Sequence, residues 1–410
     1  MKNNAVYGQS GGVTSVINAS AYGTIQACLN HTAVNRVFAS VNGIEGILND
    51  NLVDMKLESP MQIEKIPFTP GAIFGSCRLK IDSEEKLEKV FKVFDEYDIG
   101  FFFYNGGNDS MDTIYKIAKY ADKIGYPLKA IGIPKTVDND LEFTDHCPGF
   151  GSAAKFTATA LLEATRDVKS MSSSSTKVFI MESMGRHAGW LAASGGLASL
   201  NGETGPGIIL FPEIPFCKDT FLAKLESELN RKGYCSIIAS EALKDSDGNY
   251  ISASLFQDSF GNVQLGKISN YLEELITREL KIKTHTGLPD YLQRSSRHIS
   301  SFIDWKEAIE VGATAVHYAA DKAISGAMVG ISRDMDVPYL KHYEPQDLEG
   351  IAAHTKYLPR EFISDDGFNI NDGFLRYASP LIDGEAPNHF IRGIPSYAEL
   401  KFIKAIPEKK

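Results

Sequence analysis

The first half of the chain repeats one pattern: a short apolar run, a glycine-rich or polar turn, and a segment with apolar residues three and four positions apart. The apolar runs do not alternate with polar residues, which is typical of strands covered on both faces of a parallel sheet. Strands that alternate with helices in this way predict an α/β fold. The predicted strands include residues 5–7, 99–104, 130–133, 177–181, 207–211 and 235–239.

Length and charge limit the organisation and the partners of the chain. With 410 residues, the chain is long enough for two lobes, each with its own core. We therefore predict two Rossmann-like lobes with mainly parallel sheets, covered by helices, and an active site in the cleft between them. The predicted bounds are 1–140 for the N-terminal lobe, 141–330 for the second lobe and 331–410 for a C-terminal extension that packs back on both. The net charge of −10 argues against a broad nucleic-acid or acidic-membrane surface.

Cysteine usage and the first residues indicate a cytoplasmic protein. The five cysteines are odd in number, scattered and without a CxxC pair, so we expect free thiols and neither a disulfide framework nor a zinc site. The chain begins without the apolar core of a signal peptide. The longest apolar stretch, near residues 99–104, is far shorter than a membrane span.

Two glycine turns follow predicted strands and are candidate phosphate sites. Gly11 and Gly12 precede a helix that the apolar spacing predicts over residues 13–28, and unpaired backbone N–H groups and the absence of side chains suit a phosphate there. The segment 105–110, Asn-Gly-Gly-Asn-Asp-Ser, carries an acid at its tip that can approach a magnesium–phosphate complex. The alternatives are a tight strand-to-helix turn at the first site and simple helix capping by Asp109 and Ser110 at the second.

The densest group of reactive side chains follows the predicted strand 130–133, where Lys135 and Thr136 are followed by Asp138 and Asp140. One carboxylate can accept the proton of an attacking alcohol while the other orients it or holds a metal. The lysine can neutralise charge on a phosphoryl group during transfer. The alternative is a polar turn.

Three arginines are candidates for binding a sugar phosphate, because the planar guanidinium group can donate two hydrogen bonds to one phosphate: Arg78, Arg186 and Arg294. The alternative for each arginine alone is an ordinary surface position.

These segments occur together in one order over about residues 5–300. The order is GQSGGVTSVIN, GSCR, GGNDS, PKTVDND, MESMGRHAGW, PEIPF, SEAL and YLQR. In this order they resemble the 6-phosphofructokinase family, and PKTVDND resembles its pyrophosphate-dependent branch. The later segment DGFNINDGFLRYASPLI also resembles this branch, although we assign no chemistry to it. The resemblance implies Mg²⁺-dependent transfer of a phosphoryl group to the 1-hydroxyl of fructose 6-phosphate.

The resemblance also implies roles for individual residues. Asp138 would be the base that accepts the hydroxyl proton, and Arg78 would lie against the transferring phosphoryl group. The implied catalytic residues are Asp138, Lys135, Asp109 and Arg78. The implied substrate-binding residues are Thr136, Val137, Asp138, Asp140, Met184, Gly185, Arg186, Glu241, Tyr291, Leu292, Gln293, Arg294 and Lys177. The implied diphosphate-binding residues are Gly11 and Gly12, and the implied metal ligands are Asn108 and Asp140.

Two positions indicate the phosphoryl donor. ATP-using members typically have glycine where this chain has Asp109 and Lys135. A carboxylate at 109 would repel the ATP α-phosphate in a pocket of low dielectric constant. Lys135 would supply positive charge to a short donor that lacks adenosine. We therefore expect diphosphate and fructose 6-phosphate as substrates of a reversible reaction.

Two departures from the family pattern bear on the metal and on assembly. Asn108 stands where many members have aspartate, so the metal would depend more on Asp140, water and donor oxygens. Lys177 stands where ATP-using members have an arginine that reaches the sugar phosphate of a neighbouring subunit, so we expect a homodimer or a higher homo-oligomer.

Three other functions compete with this interpretation: an ATP-dependent 6-phosphofructokinase, a catalytically silent regulatory subunit of the family, and a nicotinamide-binding domain. The presence of Asp138, Asp140 and Arg186 argues against a silent subunit. The missing GxGxxG spacing argues against a nicotinamide-binding domain.

Overall fold

The structure is a computed structural model that describes residues 2–257, 263–349, 351 and 354–407. The strands are β1 Asn4–Gln9, β2 Val37–Ser40, β3 Leu52–Asp54, β4 Ile99–Gly106, β5 Lys129–Pro134, β6 Val178–Ser183, β7 Ile208–Leu210, β8 Cys235–Ser240, β9 Ala253–Gln257, β10 Val263–Leu265, β11 Thr284–Gly287, β12 Ala327–Met335, β13 Leu340–Asp347, β14 Phe390–Ile391 and β15 Ile394–Pro395. The α-helices are α1 Ile17–Asn30, α2 Gly43–Leu48, α3 Pro60–Ile63, α4 Glu84–Glu96, α5 Asn108–Ile124, α6 Phe150–Met171, α7 Trp190–Ser194, α8 Lys218–Lys232, α9 Ile268–Leu280, α10 Leu292–Ser295, α11 Phe302–Ala320 and α12 Asp372–Ala378. Short 3-10 helices lie at Met55–Leu57, Ile66–Phe68, Gly195–Gly202, Arg297–Ile299, Arg360–Phe362 and Ser379–Ile382.

The first sheet has seven strands in the order β13-β12-β5-β4-β1-β2-β3. Its five inner strands are parallel, and the edge strands β13 and β3 are antiparallel to their neighbours. Strand β1 lies between β2 and β4, so the chain reverses its direction of progress across the sheet at this point. In such sheets a crevice opens beyond the carboxyl ends of the strands where this reversal occurs. The predicted α/β class with mainly parallel sheets is confirmed.

The second sheet has four parallel strands in the order β11-β6-β8-β7. Strands β6 and β8 are neighbours, and Ser183 pairs with Ser240 where both strands end. The segments that follow these two strands therefore leave the sheet side by side.

The chain returns to the first sheet earlier than the predicted boundary at residue 330. Helix α11 packs against α1, where Val16 and Ala19 are buried with Ala308. Strand β12 then pairs with β5, so that α11, β12 and β13 all belong to the first sheet's layer. The apolar face of a helix shows that it covers a sheet, but it does not show which of two sheets it covers.

The five cysteines agree with the expectation of free thiols. All five cysteines are free thiols, of which Cys217 is exposed and the other four are buried. Across the part of the chain that the structure describes, no helix combines the length and the apolar character needed to cross a bilayer.

Candidate active site

Two glycine corners meet at the reversal point of the first sheet, because Gln9 at the end of β1 pairs with Asn105 near the end of β4. Gly11 has φ +74°, in the left-handed region that favours glycine. A Cβ atom on Gly11 would lie 3.4 Å from Lys135 Nζ, and one on Gly12 would lie 3.0 Å from Arg294 Nη1. The two glycines thus let two cationic side chains approach the backbone of this turn.

The first helix begins later than the sequence pattern predicts. Its first residue is Ile17, because residues 13–16 form a turn in which Val16 N–H donates to Thr14 Oγ1 at 3.3 Å. The unpaired N–H groups of this helix therefore belong to residues beyond the glycine turn.

The second glycine corner leads directly into a helix. Gly107 occupies the N-cap position of α5, so neither Asp109 nor Ser110 caps it. Asp109 lies in the first turn, its side chain is 61% exposed, and its Oδ1 lies 3.1 Å from Lys80 Nζ. The corner therefore presents a helix N-terminus and an acid to the crevice.

The donor atoms at this second corner suit a magnesium ion held partly by substrate. Asn108 Oδ1 is buried and has no hydrogen-bond partner among the residues described. Amide and carboxylate oxygens are ligands that Mg²⁺ prefers. Within the same residues no group of three or more His, Cys, Asp or Glu side chains could hold a metal alone. A metal bound here would need oxygens from a bound phosphate group and water.

The turn after β5, which we call the catalytic turn (residues 135–140), projects charged groups into the crevice. Lys135 is only 4% exposed, and its ammonium donates to the carbonyl oxygen of Gly12. The Asp138 N–H donates to Thr136 Oγ1 at 3.1 Å, and the backbone of Thr136 pairs with Gly149 at the start of α6. The turn is thereby tied both to the first glycine corner and to the helix that follows.

Burial changes the protonation of the two central groups. Burial, together with the charges of Asp140 and Glu241, raises the pKa of Asp138 to about 7, although Lys135 and Arg186 partly offset this. Burial also lowers the pKa of Lys135 to about 8 despite the nearby carboxylates. Asp138 thus lies within electrostatic reach of Lys135 from the first lobe and of Arg186 from the second.

Asp140 is a second buried carboxylate in the same turn. Burial raises its pKa, while the charges of His187 and Lys135 lower it. Two carboxyl groups this close to each other in a poorly solvated site favour a shared negative charge over two full charges.

The segments that follow β6 and β8 form the opposite wall. Gly185 N–H donates to Glu241 Oε1 at 3.2 Å, and Met184 N–H donates to the buried Gln293 Oε1 at 3.1 Å. Burial raises the pKa of Glu241. These bonds connect the turn that carries Arg186 to both strand ends of the second sheet.

Arg294 links the two walls. Its guanidinium carbon lies 4.0 Å from the ring centroid of Tyr291, and its Nε is buried without a hydrogen-bond partner among the described residues. It lies beside Gly12 and its charge lowers the pKa of Lys135, so it faces the first glycine corner. Tyr291 is 65% exposed and Leu292 is also exposed.

The remaining predicted residues lie at different distances from the crevice. The loop before Arg78 lies against the first glycine corner, since Gly11 N–H donates to Cys77 O at 3.0 Å and Ser76 Oγ donates to Gly11 O at 2.7 Å. The Val137 side chain is buried in an apolar cluster, so it attaches the catalytic turn to the core. Lys177 is exposed and precedes β6, roughly 20 Å along the strand from Met184. Within one chain it is not brought to the site.

Three residues near the site were not predicted from the sequence. The charge of His187 lowers the pKa of Asp140, and Lys80 forms an ion pair with Asp109. The Tyr377 hydroxyl accepts a hydrogen bond from Asn139 of the catalytic turn. His187 and Lys80 lie close in sequence to predicted arginines, which is a weak signal. Tyr377 lies 238 positions from its partner and gives no local signal.

Comparisons with known proteins identify the family of the chain. A sequence model described as Phosphofructokinase matches residues 4–319. A protein of Xanthomonas campestris pv. campestris named pyrophosphate–fructose 6-phosphate 1-phosphotransferase is 46% identical over 406 residues, covering 98% of this chain and 96% of the relative. A protein of Halomonas elongata with the same name is 44% identical over 417 residues, covering 100% of this chain and 99% of the relative.

A solved structure shares the fold over the full chain. It is the pyrophosphate-dependent phosphofructokinase from Nitrosospira multiformis, with 43% identity, a TM-score of 0.91, and coverage of 100% of this chain and 99% of that one. A family match over residues 4–319 and full-length relatives above 40% identity lead to one conclusion. The chain belongs to the phosphofructokinase family.

Proposed function

We propose that this protein is a diphosphate-dependent 6-phosphofructokinase, which transfers a phosphoryl group from diphosphate to the 1-hydroxyl of fructose 6-phosphate. The products are fructose 1,6-bisphosphate and phosphate. The names of its full-length relatives support this activity. The observation that carries the proposal for the site is the buried Asp138, whose pKa is lowered by two cationic side chains, that of Lys135 in the same turn and that of Arg186 from the second lobe.

Asp138 acts as the general base in this proposal. Its pKa of about 7 makes it basic enough to accept the proton of the sugar hydroxyl near neutral pH. The hydroxyl oxygen forms a bond to the nearer phosphorus of diphosphate as the bridging P–O bond breaks, and phosphate leaves with the bonding electron pair. The proton on Asp138 is then released to solvent, and in the reverse direction Asp138 returns it to the sugar oxygen.

Cations around the first glycine corner stabilise the transferring group. Lys135 and Arg294 lie beside Gly11 and Gly12, where they offset the negative charge that the phosphoryl oxygens share in the transition state. Arg78 directly follows the loop that contacts Gly11, and we assign its charge to the same group. When bound, Mg²⁺ neutralises charge on diphosphate, and the residues that would hold it are Asn108 and Asp140.

The second wall holds the sugar phosphate. Arg186 offers a planar fork to a phosphate or hydroxyl group, and Glu241 accepts hydrogen bonds from sugar hydroxyls or from Gly185 N–H. The backbone of Met184 and Gly185 is fixed by Gln293 and Glu241. We propose that Lys177 completes the sugar-phosphate site of a neighbouring subunit in a homodimer or higher homo-oligomer, because it lies too far from its own site to contribute there.

Asp109 and Lys135 select diphosphate over ATP. Asp109 places negative charge at the start of α5, where an additional phosphate of ATP would be repelled, and Lys135 compensates for a donor that brings no nucleoside contacts. This part of the proposal depends on charge at two positions, and both can be changed.

An activity grid of donors and acceptors tests the function. The expected result is turnover with diphosphate and fructose 6-phosphate in the presence of Mg²⁺, with formation of fructose 1,6-bisphosphate, and no turnover with ATP. Efficient turnover with ATP and none with diphosphate would reject the proposal. Sedoheptulose 7-phosphate belongs in the same grid as an acceptor, because its activity would show how strictly the second wall selects the sugar.

A double variant tests the choice of donor. Asp109→Gly combined with Lys135→Gly is expected to weaken the use of diphosphate and to admit some ATP. Asp112→Gly is the matched control, since it removes another carboxylate of α5 that pairs with Lys116 at 2.6 Å. An unchanged donor preference in the double variant would remove the electrostatic argument, whereas the control should resemble the wild type in donor choice.

A further inference from the structure

The C-terminal segment (residues 354–382) contacts the catalytic turn and the loop that follows it. Lys356 N–H donates to the backbone carbonyl of Asp140 at 3.0 Å. Its ammonium donates to the carbonyl of Thr144 at 2.8 Å and to that of Asp145. None of these groups takes part in the chemistry proposed above, yet they fix the backbone directly after the two carboxylates.

Tyr377 contacts the catalytic turn through a side chain. Asn139 lies between the two carboxylates with φ +54°, and its Nδ2 donates to the Tyr377 hydroxyl at 3.0 Å. The Asn139 Oδ1 accepts from Cys147 N–H at 2.9 Å, and the Tyr377 hydroxyl donates to Asp145 O at 2.7 Å. Every one of these polar groups has a partner, so the orientation of Asn139 is fully determined.

The surroundings of Tyr377 hold its hydroxyl in place. Its ring centroid lies 5.4 Å from that of Phe362, with the rings stacked, and 5.4 Å from that of Trp190. Arg333 lies over the ring at 4.6 Å and donates to the Tyr377 carbonyl at 2.9 Å. Burial raises the pKa of Tyr377 well above its usual value, so the hydroxyl keeps its proton and remains a donor to Asp145 O.

The catalytic turn needs such support because it concentrates like charge. Asp138 and Asp140 are both held away from water and repel each other when both are ionised. A residue with positive φ between them adds a conformational cost that the surrounding structure must offset. Without fixed partners, the turn would relax toward solvent and move the carboxylate away from the reacting hydroxyl.

We propose that Tyr377 and Lys356 are positioning residues that hold the catalytic turn, and with it Asp138, in the reactive geometry. This rests on the proposed role of Asp138 as the base. The segment containing Tyr377 is the one that showed a family resemblance without any assigned chemistry. Its role is to hold the backbone of the catalytic turn through Asn139.

The test is Tyr377→Phe, which removes one oxygen and keeps the ring. The matched control is Tyr126→Phe, since the Tyr126 hydroxyl also donates to a backbone carbonyl, that of Ile99, at 2.8 Å, but lies away from the site. We expect kcat of Tyr377→Phe to fall roughly tenfold or more while the KM of each substrate changes little, because a small misplacement affects the reacting geometry most. The control should retain the wild-type kcat.

The split between kcat and KM separates positioning from simple destabilisation. A variant that only loses stability keeps both constants when it is assayed well below its melting temperature, whereas a misplaced base lowers kcat alone. Lys356→Met, which removes the ammonium and keeps most of the stem, should lower kcat in the same way.

The outcomes are distinct. A lower melting temperature with wild-type kcat in both variants would overturn the proposal and leave the proposed function intact, provided that Asp138→Asn is inactive with diphosphate. A wild-type protein without diphosphate-dependent activity would overturn both. A reduced kcat with a nearly unchanged KM in either variant, and a normal control, supports the positioning role, whereas a fall in kcat with a comparable rise in KM would overturn it.

Discussion

At the scale of single residues, the proposed chemistry depends on the Asp138 carboxylate, because burial raises its pKa to about 7. Asp138→Asn keeps the shape and removes the base, so we expect kcat with diphosphate to fall by about 10²-fold or more, with an unchanged fold. Steady-state kinetics measures the loss, and a thermal melt within a few degrees of the wild type serves as the control for folding. A loss below about tenfold would place the base elsewhere.

Two perturbed pKa values make a second prediction at this scale. Asp138 must be ionised to accept a proton, so kcat/KM should rise as pH increases through about 7. Lys135 must be protonated to offset phosphate charge, so kcat/KM should fall as pH increases through about 8. The profile should therefore be bell-shaped with its maximum between these values.

Lys135→Arg gives the control for the alkaline limb, because the guanidinium stays protonated throughout this range. This variant should lose the decrease near pH 8 and keep the increase near pH 7. An alkaline limb that persists unchanged in Lys135→Arg would assign it to another group.

At the scale of elements, a buried ionic cluster connects the loop after the catalytic turn to α11. His146 Nε2 lies 2.6 Å from Glu307 Oε2, and its Nδ1 lies 2.7 Å from Asp145 Oδ2. Burial alone would lower the pKa of His146, but Glu307 and Asp145 raise it to about 9. Because this pKa is above the ordinary value of 6.5, the ion pairs of protonated His146 stabilise the folded protein fully below about pH 6.5. This contribution to the free energy of unfolding is lost as pH rises through about 9.

The cluster predicts a large effect on stability. His146→Gln removes the charge that pairs with the buried Glu307, so the free energy of unfolding should fall by about 3 kcal/mol or more. His317→Gln is the control, since that histidine forms an exposed pair with Asp321 at 2.7 Å, and its loss should have a much smaller effect on the free energy of unfolding. Denaturant unfolding at pH 6 measures both. Equal effects of the two substitutions would show that burial does not strengthen the His146 cluster.

Elements with local signals could be predicted from the sequence, and long-range ones could not. The apolar runs at 99–104 and 130–133 correspond to β4 and β5, and both glycine corners lie where the strands end. The apolar spacing places the start of α1 too early, because Val16 N–H donates to the Thr14 side chain and the helix begins only at Ile17. The return of α11 and β12 to the first sheet, and the contact between Asn139 and Tyr377, depend on tertiary packing that no local pattern records.

At the scale of the whole molecule, the site is built from both lobes, yet one predicted residue lies outside it. The catalytic turn and the glycine corners come from the first sheet, and Arg186 and Glu241 come from the second. Lys177 lies at the amino end of β6, whereas Arg186 follows its carboxyl end. A single chain therefore presents Lys177 on the side of the second sheet that faces away from its own crevice.

This placement predicts that a site shared between subunits can be reconstituted from two inactive chains. Asp138→Asn removes the base from its own site, and Lys177→Glu would place a repelling charge in the sugar-phosphate site of a partner. In a hybrid dimer, the site that keeps Asp138 receives Lys177 from the Asp138→Asn chain and is intact. Co-expression of the two variants should restore about a quarter of the wild-type activity, since half of randomly formed dimers are hybrids with one intact site of two. Each variant expressed alone should have little activity, and Lys169→Glu, at an exposed position near the end of α6, serves as the surface-charge control. If Lys177→Glu is inactive and the mixture shows no recovery although light scattering shows hybrid dimers, Lys177 acts within its own chain and the shared site is wrong.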